Sequence, residues 1–313
     1  MKHTILGKGA WGKAMGQSLQ ERGHDVKWLD KGEHKIPSPT DLLWIALPTQ
    51  TVRECFGKME GLSSQLPVIS LSKGIEISTG KRVSEIVEHF CPNSNIAAVS
   101  GPSLAGEILK NVPTALVAAS SDDEFARVVQ KALHGPSLRV YRSRDLIGVE
   151  WGGALKNVYA LAAGMCAGLG LGENSLAGLT TRSLREMTRV AVHFGAEEET
   201  VQGLSGVGDL ILTSYSRSSR NRRVGERLGA GDTVSQALAS VRFLPLKRSM
   251  PPLLSSYFKS SKVRSRRKRV YWPYWTVAQN RKQNKATLLF DAKGLGGNDS
   301  NLWISCVSTQ GTI

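Results

Sequence analysis

The chain has 313 residues, a hydrophobic fraction of 41% and a formal net charge of +15. That length suits about two domains, the hydrophobic content suits ordinary cores, and no apolar run is long and clean enough to span a membrane. The charge is uneven: residues 1–240 hold 27 Lys and Arg against 24 Asp and Glu, whereas residues 241–313 hold 14 against Asp291 and Asp299 alone, so the basic character belongs to the tail.

From the N-terminus, His3–Leu6 reads as a short buried strand. Gly7-Lys8-Gly9-Ala10-Trp11-Gly12 follows, then a helical pattern through Ala14, Met15 and Leu19 to Gly23. This is G-x-G-x-x-G between a strand and a helix, the setting it needs to hold a dinucleotide. Gly7 permits the tight turn, Gly9 lets a pyrophosphate approach the backbone, and Gly12 lets helix and strand pack closely. The competing reading is a glycine-rich turn with no ligand. A second strand, Asp25–Leu29, ends at Asp30-Lys31. An acid there suits the ribose hydroxyls of NAD, and Lys31 suits the extra phosphate of NADP. The alternative for both is a solvated turn.

Further strands are predicted over 42–47, 68–71, 96–99, 115–118 and 138–141, with helices over 50–59, 81–90 and 122–134. Ser121-Asp-Asp-Glu124 fits a capping box for the last helix. The segment from Asp30 to Asp41 is too short for a full crossover helix. Apolar strands alternating with helices imply a doubly wound parallel sheet. Ser72-Lys73-Gly74 and Ser100-Gly101-Pro102-Ser103 sit at strand ends, where open α/β sheets bind ligands. Lys73 is a point charge suited to an anion, though each loop read alone is as well a surface lysine and a plain turn.

Past Gly148 helices take over. The apolar run from Leu146 to Gly170 contains Lys156-Asn157. A lysine in such a run either extends its head to the surface or sits in a cleft to move a proton beside an anion. An amphipathic helix is predicted over 175–194. Asp209, in Gly206-Val-Gly-Asp-Leu210, is either a helix cap or a site residue. Ser219-Arg220-Asn221, near a helix start, could grip a phosphate.

The motifs Gly7–Gly12, Ser72–Ile75, Ser100–Ser103, Gly148-Val-Glu150, Ala154-Leu-Lys-Asn-Val158, Gly206–Leu210 and Ser219–Arg222 occur in one order. Together they resemble bacterial NAD(P)-dependent glycerol-3-phosphate dehydrogenase, over about residues 2–240. The resemblance implies a Rossmann-type α/β domain over 1–145, an all-helical substrate domain over 146–240, and reduction of dihydroxyacetone phosphate to sn-glycerol 3-phosphate for phospholipid synthesis. Carried over by position, it makes Lys156 the acid/base residue. Lys73, Gly101, Ser103, Asp209, Ser219, Arg220 and Asn221 become substrate contacts. With the glycines of the turn, Ala10, Trp11, Lys31, Lys73, Ala105 and Arg220 become contacts to NAD or NADP. Position 10 is often serine in that family, so Ala10 removes a hydroxyl.

Beyond about Ser240 the resemblance stops. Residues 241–313 lack the family's further helices and its Glu-Gly pair. They carry Lys262–Arg269, rich in basic residues, and then Val270–Trp275, rich in aromatics. Three readings stand: an unrelated or frame-shifted, unfolded tail; an arm that binds single-stranded nucleic acid; and a divergent folded end. The first would impair the enzyme or leave an inactive homologue. The expected partner is a small phosphate-bearing substrate, with a homodimer as one arrangement and nucleic acid disfavoured. Cys55, Cys91, Cys166 and Cys306 form no C-x-x-C pair and no secretory leader precedes them, which favours the cytoplasm. The six histidines show no metal-ligand spacing, and no metal is expected.

Overall fold

The computed structural model describes residues 1–240, and beyond them the backbone of Lys268–Trp272, Trp275–Asn280 and Lys285–Phe290. The remainder of the stretch expected to be an unfolded tail lies outside the described residues. By its contacts the chain divides into one unit of Met1–Ala162 with Thr180–Arg223, and a second of Ala163–Leu179 with Val224–Ile313.

In the first unit, β1 (Lys2–Leu6), α1 (Ala10–Gln20), β2 (Asp25–Leu29), β3 (Leu42–Ile45), α2 (Thr49–Phe56), β4 (Val68–Ser70), α3 (Val83–Phe90) and β5 (Ile96–Ser100) come first. Next are α4 (Ala105–Ile108), β6 (Thr114–Ala119), α5 (Asp123–Leu133) and β7 (Leu138–Ser143). The strands form one sheet of seven in the order β2-β1-β3-β4-β5-β6-β7. All neighbours are parallel except β5 and β6, which run antiparallel with Ala98 opposite Ala119. The sheet is therefore doubly wound as expected but mostly, not wholly, parallel. The one-turn α4 is too short to carry the chain back across the sheet, so β6 returns in the opposite sense.

The helices bury one face each against the sheet. On one side Met15, Leu19, Phe125, Val129 and Leu133 pack on Ile5, Trp44 and Leu116. On the other, Val52, Phe56, Ile86 and Val87 pack on Leu43, Ile45 and Val68. Between β2 and β3 there is no helix, which matches the short segment. The cap of α5 is Asp122, whose carboxylate accepts from the backbone N–H groups of Glu124 and Phe125, rather than Ser121.

From Leu146 the chain is helical up to Ser240: α6 (Leu146–Gly168), α7 (Gly172–His193), α8 (Glu198–Gln202), α9 (Asp209–Tyr215), α10 (Arg220–Gly229) and α11 (Val234–Ala239). One turn of π-helix, Leu204–Gly208, runs straight into α9. Within the first unit, Trp151, Tyr159, Met187, Ala191, Val201 and Leu210 form a separate core. The π-turn seats on α6 backbone to backbone, since a Cβ on Gly152 would lie 2.8 Å from the Ser205 carbonyl oxygen and 3.1 Å from the Gly206 Cα, while a Cβ on Gly206 would lie 1.9 Å from the Val201 carbonyl oxygen of α8.

In the second unit the ends of α6 and α10 meet at Gly168 and Gly229. A Cβ on Gly168 would lie 2.0 Å from the Glu226 carbonyl oxygen. Thr233 caps α11 and exchanges hydrogen bonds with Gln236. Three strands, β8 (Lys268–Trp272), β9 (Trp275–Asn280) and β10 (Lys285–Phe290), pair antiparallel in the order β10-β9-β8. Among the described residues no helix is long and apolar enough to cross a membrane.

Candidate active site

The loops after β1, β3, β4 and β5 all leave the carboxyl edge of the sheet, and they touch. Gly7 has φ +104°, and a Cβ on it would lie 2.7 Å from the Ala46 carbonyl oxygen in the loop after β3. A Cβ on Gly12 would lie 2.2 Å from the Gly7 carbonyl oxygen. Gly9 is different: a Cβ there meets nothing within 4 Å. It caps α1 with no side-chain hydrogen bond to the helix N–H groups. A close-packed turn that leaves an open face at a helix N-terminus fits a pyrophosphate. Ala10 and Trp11 open α1, and the Trp11 Nε1 is buried with no partner. At the far end of β2, Asp30 accepts from the backbone N–H of Lys31 at 2.7 Å, and Lys31 is exposed. Ala105 begins α4 and packs against the sheet core.

Beside this turn two lysines share one carboxylate. Asp209 is wholly buried. Its Oδ1 accepts from Lys156 Nζ at 2.8 Å and its Oδ2 from Lys73 Nζ at 2.6 Å. As the first residue of α9, Asp209 makes no capping hydrogen bond. Of the two readings of Asp209, the helix cap is thus not the one found. Lys156 is 8% exposed, so it does not reach the surface. It also donates to the Thr213 hydroxyl at 2.7 Å. Lys73 donates to the Gly101 carbonyl at 3.2 Å and lies 5.7 Å from the centre of the Trp11 ring, within reach of a cation–π contact.

Burial first, and then the like charge of Lys73, lower the Lys156 ammonium to a pKa of about 8, against the upward pull of Asp209. Burial works to raise the Asp209 carboxyl, but the charges and hydrogen bonds of Lys73 and Lys156 hold it below the ordinary carboxylate range.

The other predicted residues gather round this pair to different degrees. Gly101 has φ +139° and its carbonyl also accepts from Ser103 Oγ at 3.0 Å. Asn221 donates from Nδ2 to Asn157 Oδ1 at 2.8 Å, and so reaches α6 next to Lys156. Ser219 is buried and its hydroxyl accepts from the Arg222 N–H at the start of α10. Arg220, the first residue of α10, is exposed. Three neighbours of this set were given no role of their own from the sequence. Thr213 stands one helical turn past Asp209, a spacing that becomes legible once α9 is seen to start at Asp209. Asn157 anchors Asn221. Ser100 Oγ is buried without a partner, and a Cβ on Gly153 would lie 3.0 Å from it. Glu150, from the Gly-Val-Glu motif, is buried on α6 and accepts from Arg82 Nη1 and from the N–H and hydroxyl of Ser84. Burial pushes its carboxyl up, against the pull of Arg82. Among the described residues no three His, Cys, Asp or Glu side chains are placed to hold a metal.

Hydride transfer to a carbonyl needs a seat for the dinucleotide and, next to it, a proton source kept from water. This fold offers both at one edge of its sheet, as dinucleotide-dependent dehydrogenases do. Residues 34–126 match the family model described as the N-terminus of NAD-dependent glycerol-3-phosphate dehydrogenase, and residues 145–245 match its C-terminus. The glycerol-3-phosphate dehydrogenase [NAD(P)+] of Azotobacter vinelandii is 40% identical over 75% of this chain and 78% of its own length. That of Pseudomonas fluorescens SBW25 is 42% identical with the same coverage. The crystal structure of glycerol-3-phosphate dehydrogenase from Coxiella burnetii superposes with a TM-score of 0.71 and 30% identity, over 78% of this chain and 84% of that one. The chain belongs to the NAD(P)-dependent glycerol-3-phosphate dehydrogenase family.

Proposed function

We propose that this chain catalyses the reversible reduction of dihydroxyacetone phosphate to sn-glycerol 3-phosphate, in the cytoplasm and as a supply for phospholipid synthesis, with Lys156 as its acid/base. The bound nicotinamide supplies the hydride in the reducing direction. Gly7, Gly9, Ala10, Trp11 and Gly12 hold the dinucleotide, with Lys31, Lys73, Ala105 and Arg220 as further contacts. The observation that carries this reading is the buried carboxylate shared by two lysines. Asp209 aims the Lys156 ammonium, and Thr213 fixes its second hydrogen. As negative charge develops on the substrate carbonyl oxygen, Lys156 donates a hydrogen bond and then the proton. A donor near pKa 8 is well matched to a working pH close to neutral. In the oxidising direction the neutral amine takes the hydroxyl proton.

Lys73 leaves the Lys73–Asp209–Lys156 set with one net positive charge, which favours a phosphate-bearing substrate beside it. Gly101, Ser103, Ser219, Arg220 and Asn221 anchor the substrate, and remote anchoring of a phosphate orients a small ketone. Nucleic-acid binding through the basic tail is the disfavoured alternative.

The test is oxidation of NADH and of NADPH with dihydroxyacetone phosphate, in the full chain and in a chimera with a family-like ending after Ser240. Lys156→Ala lowers kcat by roughly 100-fold or more, the usual worth of a placed proton donor, with dinucleotide affinity retained. A variant within a few-fold of the parent removes Lys156 from the role. Turnover by the chimera alone makes this chain a damaged form of the enzyme.

A further inference from the structure

The loop that carries Lys73 is held from outside by α2. Gln50 spans it, donating from Nε2 to the Ile75 carbonyl at 2.7 Å and accepting from the Ile77 N–H at 3.0 Å. One turn along the helix, Arg53 makes a forked pair with Glu76, Nε to Oε1 at 2.9 Å and Nη2 to Oε2 at 2.8 Å. The Thr79 hydroxyl donates to the same carboxylate at 2.5 Å. A Cβ on Gly74 would lie 2.8 Å from Thr49 Oγ1, so α2 also bears on the residue next to Lys73. The opposite face of α2 is fixed, because Val52 and Phe56 are buried in the core. Glu76 itself is 4% exposed. Arg53 is a third exposed, and an ion pair open to water on one side adds little net stability. What this pair supplies is one conformation of the loop.

We propose that Arg53 and Glu76, with Gln50, are positioning residues that keep the 72–77 loop where the Lys73 ammonium sits on Asp209 Oδ2, opposite Lys156. The proposal rests on the reading of Lys156 as the acid/base. Its consequence is electrostatic. Lys73 is a like charge beside Lys156 and a rival for the same carboxylate. When the loop relaxes, Lys73 withdraws, Lys156 has Asp209 to itself, and its proton is held more tightly.

The experiment is competitive labelling of amines by a small acylating reagent across pH, read for Lys73 and Lys156 by peptide mass spectrometry on the full chain. Arg53→Met and Glu76→Gln move the Lys156 titration up by roughly one pH unit, the scale of a neighbouring charge at this range. Arg53→Lys, which keeps the charge but not the fork, gives an intermediate shift. Lys58→Met, which removes an exposed pair with Glu54 close to the same helix, gives none. In the steady-state assay, kcat/KM for the ketone falls about tenfold or more, the effect of a displaced group, while the KM for the dinucleotide holds. If Arg53→Met loses its far-ultraviolet dichroism, Glu76→Gln decides, since it keeps the volume and one acceptor oxygen. An unmoved Lys156 titration with only a lower melting temperature overturns the proposal and leaves the pair a structural tie. If labelling shifts as expected but neither the parent nor the chimera with a family-like ending reduces the ketone, the positioning role stands and the substrate reading falls.

Discussion

Asp209→Asn isolates what the shared carboxylate does, because it keeps the shape and removes the charge. In the parent, Lys156 titrates near 8 with burial and Lys73 pushing down and Asp209 pulling up. Removing an opposite charge at 2.8 Å lowers that value by roughly one to three units. At pH 7.5 a lysine at about 8 is roughly three-quarters protonated. A fall of about two units leaves on the order of 3% in the donating form, so the rate of reduction at that pH drops roughly 25-fold for this reason alone. The loss has a signature: activity returns as the pH is brought down toward 6. The variant also leaves the Lys73 charge without its carboxylate, which destabilises the fold by about 3–5 kcal/mol. The assay is the pH dependence of kcat for ketone reduction between pH 5.5 and 9, with melting followed in parallel. A pH profile that keeps the parent's position, with kcat merely scaled down, refutes the argument that Asp209 sets the charge on Lys156.

Two other perturbations test different parts of the molecule. Gly12→Ala puts a methyl 2.2 Å from the Gly7 carbonyl oxygen and opens the turn. Dinucleotide affinity, read by quenching of tryptophan fluorescence, falls at least about tenfold, as a displaced binding group does, and unchanged affinity would place the dinucleotide elsewhere. His3 is buried, accepts from Trp44 Nε1 at Nδ1, and lies 4.7 Å from the His24 ring. Its pKa falls to about 4 through burial first, then His24 and the N-terminal ammonium, against Asp41 and Asp25. The folded state therefore binds fewer protons than the unfolded one between about 4 and 6.5, so stability is full above 6.5 and is lost as the pH falls through that window. The loss is roughly 3 kcal/mol at the foot of the window. His3→Asn flattens it in urea titrations at pH 7 and 4.5, and an unchanged difference between the two pH values assigns the acid sensitivity to other groups.

The central strands were legible as short apolar runs flanked by turn residues, as in Leu42–Ile45 and residues 115–119. Their alternation with helices gave the doubly wound sheet, though not its order. The reversal of β6 was not legible, since direction depends on whether the intervening segment can cross the sheet, and the apolar pairs Leu104/Ile108 and Ala105/Leu109 do not show that the helix lasts only one turn. In the site, Lys156 and Asp209 stood out as charged residues in apolar or glycine-rich surroundings. Thr213 and Asn157 did not, because a threonine or asparagine on a helix is ordinary until its partner is known. Those partners, Lys156 and Asn221, lie 57 and 64 residues away in the chain. The Ser219 hydroxyl accepts from the Arg222 N–H, a local bond that leaves its own hydrogen free of that contact.

The seat of Gly152 on the π-turn has a bearing on how this enzyme can vary. Gly152 precedes Lys156 by one turn of α6, and Gly206 precedes Asp209 by three residues. The gap between proton donor and carboxylate is thus gauged from main chain resting on main chain, with no side chain between to yield. A substituent at Gly152 acts as a shim between α6 and the turn that leads into Asp209, and one at Gly206 wedges that turn away from α8. Two positions with no reactive group of their own are among the least open to change.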